Sequence, residues 1–114
     1  MTIKHEQPHA GEFLLSEGNG QISRETITVA AGAAIAAGQI MALVTASAEY
    51  APYIRLAKDG TEKATCILYA PLAASESPRR GQAVVRLAEV SKAHLLGLDN
   101  TAEKLLAARF LITR

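Results

Sequence analysis

The sequence predicts a mainly β fold with short helices, an α+β arrangement in a single domain. Its 114 residues are a usual length for one domain. Short runs of β-forming residues alternate with turns rich in Gly, Pro, Asn and Asp, a pattern typical of strands joined by loops. Apolar residues follow helical spacing only near the C-terminus, so the predicted helices are few and short.

The first predicted strands lie in the uncharged stretch between Glu25 and Glu49. The runs 26–29 and 39–44 are β-compatible, and Ala-rich sequence with two glycines joins them. Because a strand returns to the same face every second residue, one common core is predicted. Its members are Val29, Ile35, Ile40, Ala42 and Val44.

An uncharged stretch of this length also raises the possibility of a membrane helix. Most of its residues are Ala, Gly, Thr or Ser, which gain little from lipid, and no Lys or Arg cluster flanks it. Gly32 and Gly38 would each cost a helix about 1 kcal/mol relative to Ala. Two strands of a water-exposed domain are therefore the preferred interpretation, and no membrane partner is expected.

The N-terminal residues are predicted to form a flexible arm, residues 1–15, in front of a β-rich domain, residues 16–114. Residues 1–12 are polar and contain Pro8 and Gly11, so they bury too little apolar surface to offset the entropy of ordering. Phe13, Leu14 and Leu15 then follow as an apolar triplet. Either the triplet contacts a partner, or it packs onto its own domain. No apolar signal-peptide core occurs, so synthesis in the cytoplasm is expected.

The middle of the chain predicts turns and further strands. Residues 16–21 read as a turn, 53–56 as extended chain, and Asp59-Gly60 as a tight turn. A strand is predicted over 64–70, with Ile67 and Tyr69 on one face and Cys66 and Leu68 on the other.

The last third predicts one long strand and two short helical segments. Residues 73–81 read as a loop and 82–90 as one central strand. Ser91 is expected to begin a helical turn over 92–96 that Gly97 ends. Asn100 is expected to cap a helix through about Ala108, and residues 110–113 to form a closing strand.

Composition and motifs offer no catalytic or cofactor site. Aromatic residues make up 4% of the chain and the net charge is +1, so the core must be thin and aliphatic and no charge field attracts nucleic acid. His5 and His9 have a metal-compatible spacing, but Pro8 lies between them and no further ligands complete a site. Cys66 lies in an apolar run and is interpreted as a small buried side chain. No enzyme, metal or cofactor is predicted.

Four segments in order resemble the head decoration proteins of lambdoid tailed phages and related prophages. They are AGEFLLSEGNGQISR, VAAGAAIAAGQIMALV, CILYAPLAAS and AVVRLAEV, and together they extend over nearly the whole chain. The first is the most distinctive.

This resemblance implies a β-clip-type fold and a homotrimer on the outside of the virion, with assembly in the host cytoplasm. Such trimers sit at three-fold positions of expanded capsids and hold neighbouring major capsid (coat) proteins together against the pressure of packaged DNA. The N-terminal arm becomes ordered on the coat protein, and Phe13, Leu14 and Leu15 are the expected capsid-binding residues, filling pockets on its surface.

Two other classes of function remain open from the sequence. The spacing V-x-x-G-x-x-I-x-x-G-Q-I-M resembles the hairpin of biotinyl and lipoyl carrier domains, although Lys58 and Lys63 flank the Asp-Gly turn and do not occupy its tip. A small hydrolase would need a site shared between subunits.

Overall fold

The computed structural model describes residues 9–18 and 20–114, and within them eight strands form two sheets. The helices are α1 (Gly20–Ser23) and α2 (Asn100–Ala107), and a 3-10 turn covers Lys92–His94. The strands are β1 (Leu14–Glu17), β2 (Arg24–Val29), β3 (Ile40–Val44), β4 (Glu49–Pro52), β5 (Ala64–Leu68), β6 (Arg79–Val84), β7 (Ala88–Val90) and β8 (Leu111–Thr113). The predicted mainly β class with short helices is confirmed.

Five strands close into a barrel in the order β2-β4-β3-β5-β6. The long antiparallel ladder between β2 and β6, from Arg24 opposite Val84 to Val29 opposite Arg79, supplies one side of the closure. A short parallel contact, Val29 with Tyr50, joins β2 to β4 on the other side. The remaining strands form a separate sheet in the order β1-β7-β8, which we call the terminal sheet.

The buried side chains form two cores, one inside the barrel and one outside it. Side chains of β2, β3, β5 and β6, together with one from the β2–β3 connection and one directly after β6, form the inner core. It contains Ile27, Val29, Ile35, Met41, Cys66, Leu68, Ala83 and Val85. The outer core lies between the barrel wall, α2 and the terminal sheet, and it includes Phe13, Ile40, Ile67, Val84, Val90, Leu106 and Leu111.

The predicted common core is therefore divided: four of its five members lie in one or the other core, and Val44 is half-buried and lies in neither. Ile40 and Ala42 face the outer core, whereas Val29 and Ile35 face the inner one. The prediction placed all of them together because it treated β3 as a strand with one buried face, but α2 and the terminal sheet cover its second face. The alternation predicted for β5 is confirmed, since Ile67 faces the outer core and Cys66 the inner core.

The predicted strand over residues 82–90 is wrong in its continuity. The chain pairs in the barrel as β6 and then in the terminal sheet as β7, and the two strands are separated at Leu87, which has a φ of 54°. A left-handed residue turns the chain out of one sheet and into the other.

Two local predictions also need correction. Residues 53–56 do not continue a strand, because β4 ends at Pro52 and the chain then turns. Helix α2 is capped by Asp99 instead of Asn100: the Asp99 carboxylate accepts a hydrogen bond from the Ala102 N–H at 2.7 Å. In the part of the chain that the structure describes, no helix is long and apolar enough to span a bilayer.

Gly38 gives a test of the close approach between the start of β3 and the 3-10 turn. Its φ is 89°, and a Cβ atom built there would overlap the carbonyl oxygen of His94. We expect Gly38→Ala to lower the free energy of unfolding by more than about 1 kcal/mol in urea denaturation. Gly18→Ala is the matched control, because its Cβ would lie 3.6 Å from Leu87, an ordinary contact. Equal stability of the two variants would contradict this packing.

Candidate functional site

The described N-terminal segment is attached to the domain at Tyr69. The Gly11 N–H donates to the Tyr69 carbonyl oxygen at 2.9 Å, and Leu14 N–H donates back to the Gly11 carbonyl at 2.9 Å. Gly11 has a φ of 68°, and a Cβ there would lie 2.8 Å from the Tyr69 ring. Glycine is therefore required both by the backbone conformation and by the contact with the ring.

The three predicted capsid-binding residues occupy three different environments. Phe13 is 1% exposed and lies in the outer core, Leu14 is half-buried against that core, and Leu15 is 56% exposed. Phe13 therefore packs onto its own domain, whereas for the exposed Leu15 contact with a partner stays a prediction.

The predicted arm, residues 1–15, has to be divided accordingly. Residues 9–15 lie against the domain through the Tyr69 hydrogen bond, the burial of Phe13 and the strand β1. Residues 1–8 lie outside the described residues, so for them the arm stays a prediction.

Strand β1 is an edge strand. Among the described strands it pairs antiparallel with β7 alone, and its register shifts between Leu14 and Ser16, so Leu15 is the extra residue of a bulge. Edge strands carry backbone N–H and C=O groups that a strand from another protein can pair with. Bulges often re-aim side chains at such edges. Together, the open edge and the exposed Leu15 form a surface suited to binding an extended polypeptide.

Polar contacts fix the far end of β1. The Ser23 hydroxyl donates a hydrogen bond to the Glu17 carboxylate at 2.6 Å, and the Arg24 guanidinium donates to the same carboxylate. Arg24 also stacks 4.0 Å above the centre of the Tyr69 ring, a cation–π contact. Tyr69 thus contacts Gly11, which precedes β1, and Arg24, which bonds to Glu17 at the end of β1.

This cluster shifts the ionisation of both charged groups. The hydrogen bond from Arg24 is the main cause that lowers the pKa of Glu17, and burial opposes it in part. The same bond raises the pKa of Arg24. The ion pair is therefore the stable state at neutral pH, and it ties β1 to β2.

Among the residues that the structure describes, the remaining chemical candidates do not combine into a reactive site. Burial raises the pKa of the Cys66 thiol to about 12, so the group is neutral at physiological pH and behaves as the predicted buried side chain. His5 lies outside the described residues, and within the described ones no three His, Cys, Asp or Glu side chains come together as metal ligands.

The carrier alternative also lacks its hairpin. Lys58 and Lys63 lie between β4 and β5, but both of these strands pair with β3 and not with each other. The connecting chain is therefore not a tight hairpin turn that displays a lysine at its tip.

Sequence reasoning missed β1 and the Tyr69 attachment. The triplet of apolar residues does not alternate, because the bulge at Leu15 breaks the period of two. The contact of Gly11 with Tyr69 joins distant parts of the chain, and only Gly11 itself signalled a special backbone position.

A family model described as bacteriophage lambda head decoration protein D matches residues 3–111. Comparison with curated proteins and with solved structures finds no match to either.

The Glu17–Arg24 pair predicts a pH-dependent contribution to stability. Because the folded pKa of Glu17 lies below its ordinary 4.5, the stabilisation is present above that value and is lost as the pH falls through the lowered folded pKa. We expect Glu17→Gln to lower the free energy of unfolding at neutral pH by about 1 kcal/mol at most, since the pair is partly exposed.

The measurement is denaturation of both proteins at neutral pH and at about pH 3, where the difference between them should shrink. Glu25→Gln, which removes a more exposed ion pair with Arg86, is the control and should have a smaller effect at neutral pH. A difference that grew on acidification would be inconsistent with the assigned role of Glu17.

Proposed function

This chain belongs to the family of bacteriophage lambda head decoration protein D, and from that membership we propose how it acts on the phage head. The family consists of structural proteins of the virion, so a head decoration role follows and a catalytic one does not. In our proposal the protein is made in the host cytoplasm and binds the outside of the expanded head as a homotrimer at three-fold positions. There it holds neighbouring coat proteins together against the pressure of packaged DNA.

The family match carries this proposal, and the open edge of β1 supports a mechanism for it. A coat-protein segment that pairs with β1 gains main-chain hydrogen bonds, while side chains on alternate positions give specificity. Leu15 is exposed at that edge and is suited to enter an apolar pocket of the coat protein.

In this mechanism Phe13, Leu14 and Leu15 have different roles. Phe13 fixes the segment in the outer core, so the edge strand is already formed before the partner arrives. A preformed strand loses less conformational entropy on binding than a disordered one. Leu14, half-buried, supports the strand, and Leu15 makes the apolar contact.

Trimer formation would raise the overall affinity for the head even if each single contact is weak. Once one copy is bound, the other two copies act at a high effective concentration, and the overall affinity exceeds that of a single site. A domain of this size also buries a limited core of its own, so subunit contacts add stability.

The test mixes the purified protein with expanded, undecorated heads and measures bound protein by cosedimentation and by electron microscopy. Light scattering of the free protein measures the trimer independently. Density at the three-fold positions supports the proposal, and its absence from heads at saturating protein contradicts it.

Leu15 is predicted to contribute to head binding without contributing to the fold. We expect Leu15→Thr to weaken head binding by about tenfold or more, since an exposed aliphatic contact is lost at the centre of the site. Leu43→Thr, at another exposed strand position, is the matched control and should bind as the wild type does. Unchanged cosedimentation of the Leu15 variant would exclude the β1 edge as the binding site.

Deletion of residues 2–8 tests the predicted arm separately. The deletion removes neither Gly11 nor Phe13, so we expect an unchanged urea denaturation midpoint, an unchanged trimer mass and weaker cosedimentation with heads. Deleting residues 1–15 would be a poorer test, because loss of the buried Phe13 side chain alone costs about 3–5 kcal/mol. Head binding at wild-type affinity after the short deletion would show that the arm is not needed.

A further inference from the structure

A pocket of about 300 Å³ opens at one end of the barrel, where β3 ends and β4 and β5 begin. We call it the barrel mouth, and it is lined by Leu43, Thr45, Tyr50, Lys63, Thr65 and Arg109. Leu43 and Tyr50 lie opposite each other in the β3–β4 ladder, and Tyr50 packs against the inner core. Leu43 shares a face of β3 with Met41 of that core, because side chains alternate along a strand. The pocket therefore has an apolar floor above the inner core.

Two positive charges meet at the barrel mouth. Lys63 lies in the loop before β5, and Arg109 lies in the turn after α2, so the fold brings them together from distant parts of the chain. Among the described residues, neither charged group has an ion-pair or hydrogen-bond partner. A cleft lined by charges of one sign attracts ions of the opposite sign.

Hydroxyl groups add neutral donors to the same pocket. Burial is the main cause that raises the pKa of Tyr50, and the positive charge of Arg109 opposes it in part, so the guanidinium lies close to the Tyr50 ring. The Tyr50 hydroxyl is protonated at neutral pH and can donate a hydrogen bond. Thr45 supplies a second hydroxyl, and neither of these two hydroxyls is hydrogen-bonded to another described residue.

No acidic side chain is found among the described residues that line the barrel mouth. Glu25 lies near Tyr50, since its charge also raises the pKa of Tyr50, but it is ion-paired with Arg86 at 3.0 Å. Asp59 lies in the loop before β5, but its carboxylate accepts hydrogen bonds from the N–H and the hydroxyl of Thr61. The charge of the pocket is therefore positive.

The loop that carries Lys63 is held in place by backbone contacts. Gly60 has a φ of 106°, and a Cβ atom there would overlap the carbonyl oxygen of Leu43, so the loop packs directly on β3. The Lys63 N–H donates to the Gly60 carbonyl at 3.2 Å, and the Thr65 hydroxyl donates to the Lys63 carbonyl at 2.9 Å. A site whose backbone is already fixed loses less entropy when a ligand binds.

We propose that the barrel mouth binds a small organic anion, in which a carboxylate or phosphate group is joined to a short apolar body. The oxyanion lies between Lys63 and Arg109 and accepts a hydrogen bond from the Tyr50 hydroxyl, while the apolar body covers Leu43 and the Tyr50 ring. Mouths of β-barrels are common ligand sites, and such sites combine apolar walls with a few polar groups. The pocket is built within one copy and shares no residue with the terminal sheet, so this inference goes beyond head decoration and does not depend on it.

NMR titration with benzoate tests the proposed site. Benzamide is the matched control ligand, because it has the same ring without the charge, and ionic strength is held constant since salt screens exposed charges. We expect saturable shifts of the Tyr50 and Thr65 backbone N–H signals with benzoate, and an affinity for benzamide about tenfold lower or less. Absence of saturable shifts, or equal affinity for the two ligands, would overturn the proposal.

Charge-removing variants test which residues hold the anion. Lys63→Gln and Arg109→Gln should each weaken benzoate binding about tenfold, because each removes a charge-assisted contact. Both side chains are exposed, so the urea denaturation midpoint should not change. Arg80→Gln is the control, since it removes an equal charge from an exposed arginine outside the pocket. If all three variants weakened binding equally, benzoate would be responding only to net charge, and the assigned site would be wrong.

Cosedimentation with heads separates this inference from the proposed function. We expect Arg109→Gln to bind heads as the wild type does. If benzoate does not bind and Arg109→Gln weakens head binding, the pocket receives an acidic side chain of the coat protein, and the small-anion site is wrong although decoration stands. If the wild type binds benzoate at this pocket but does not bind heads, the proposed function fails and this inference stands.

Discussion

Burial of strands β3 and β5 on both faces is the constraint on which the other elements depend. Their alternate side chains enter the inner core of the barrel and the outer core beneath α2 and the terminal sheet. Because the chain has few aromatic residues, neither core is large, and each relies on close aliphatic packing across the shared wall. A substitution that disturbs the packing of one core is therefore expected to disturb the packing of the other core as well.

The terminal sheet depends on the same constraint. Its strands come from both ends of the chain and are held to the barrel by Phe13, Val90 and Leu111, all in the outer core. The barrel thus acts as a rigid support, while the sheet keeps an open edge at β1. If the proposed coat protein pairs with this edge, the separation of the packed body from the edge would allow binding without a rearrangement of the core.

The sequence was sufficient where neighbouring residues determine the structure. Strands β2, β3 and β5 were predicted because their β-forming residues are continuous, and α2 because its cap and apolar spacing are local. The break at Leu87 was missed because a left-handed leucine carries no sequence signal of the kind that glycine provides. The cap was misassigned because Asp99 and Asn100 are both good caps, and only the geometry selects between them.

Barrel closure and the candidate binding edge depended on contacts that a single sequence does not reveal. The triplet at residues 13–15 was recognised as unusual, but the bulge at Leu15 decides which of its members is exposed.

The antiparallel pairing of β1 with β7 has a mechanical consequence. A pull on the chain at Gly11, directed along β1, loads the ladder hydrogen bonds in shear, so that they must fail together instead of opening one after another. The hydrogen bond from Gly11 to Tyr69 and the burial of the Phe13 ring both oppose the same pull. An N-terminal segment attached in this way would resist extraction from the domain under a steady pull.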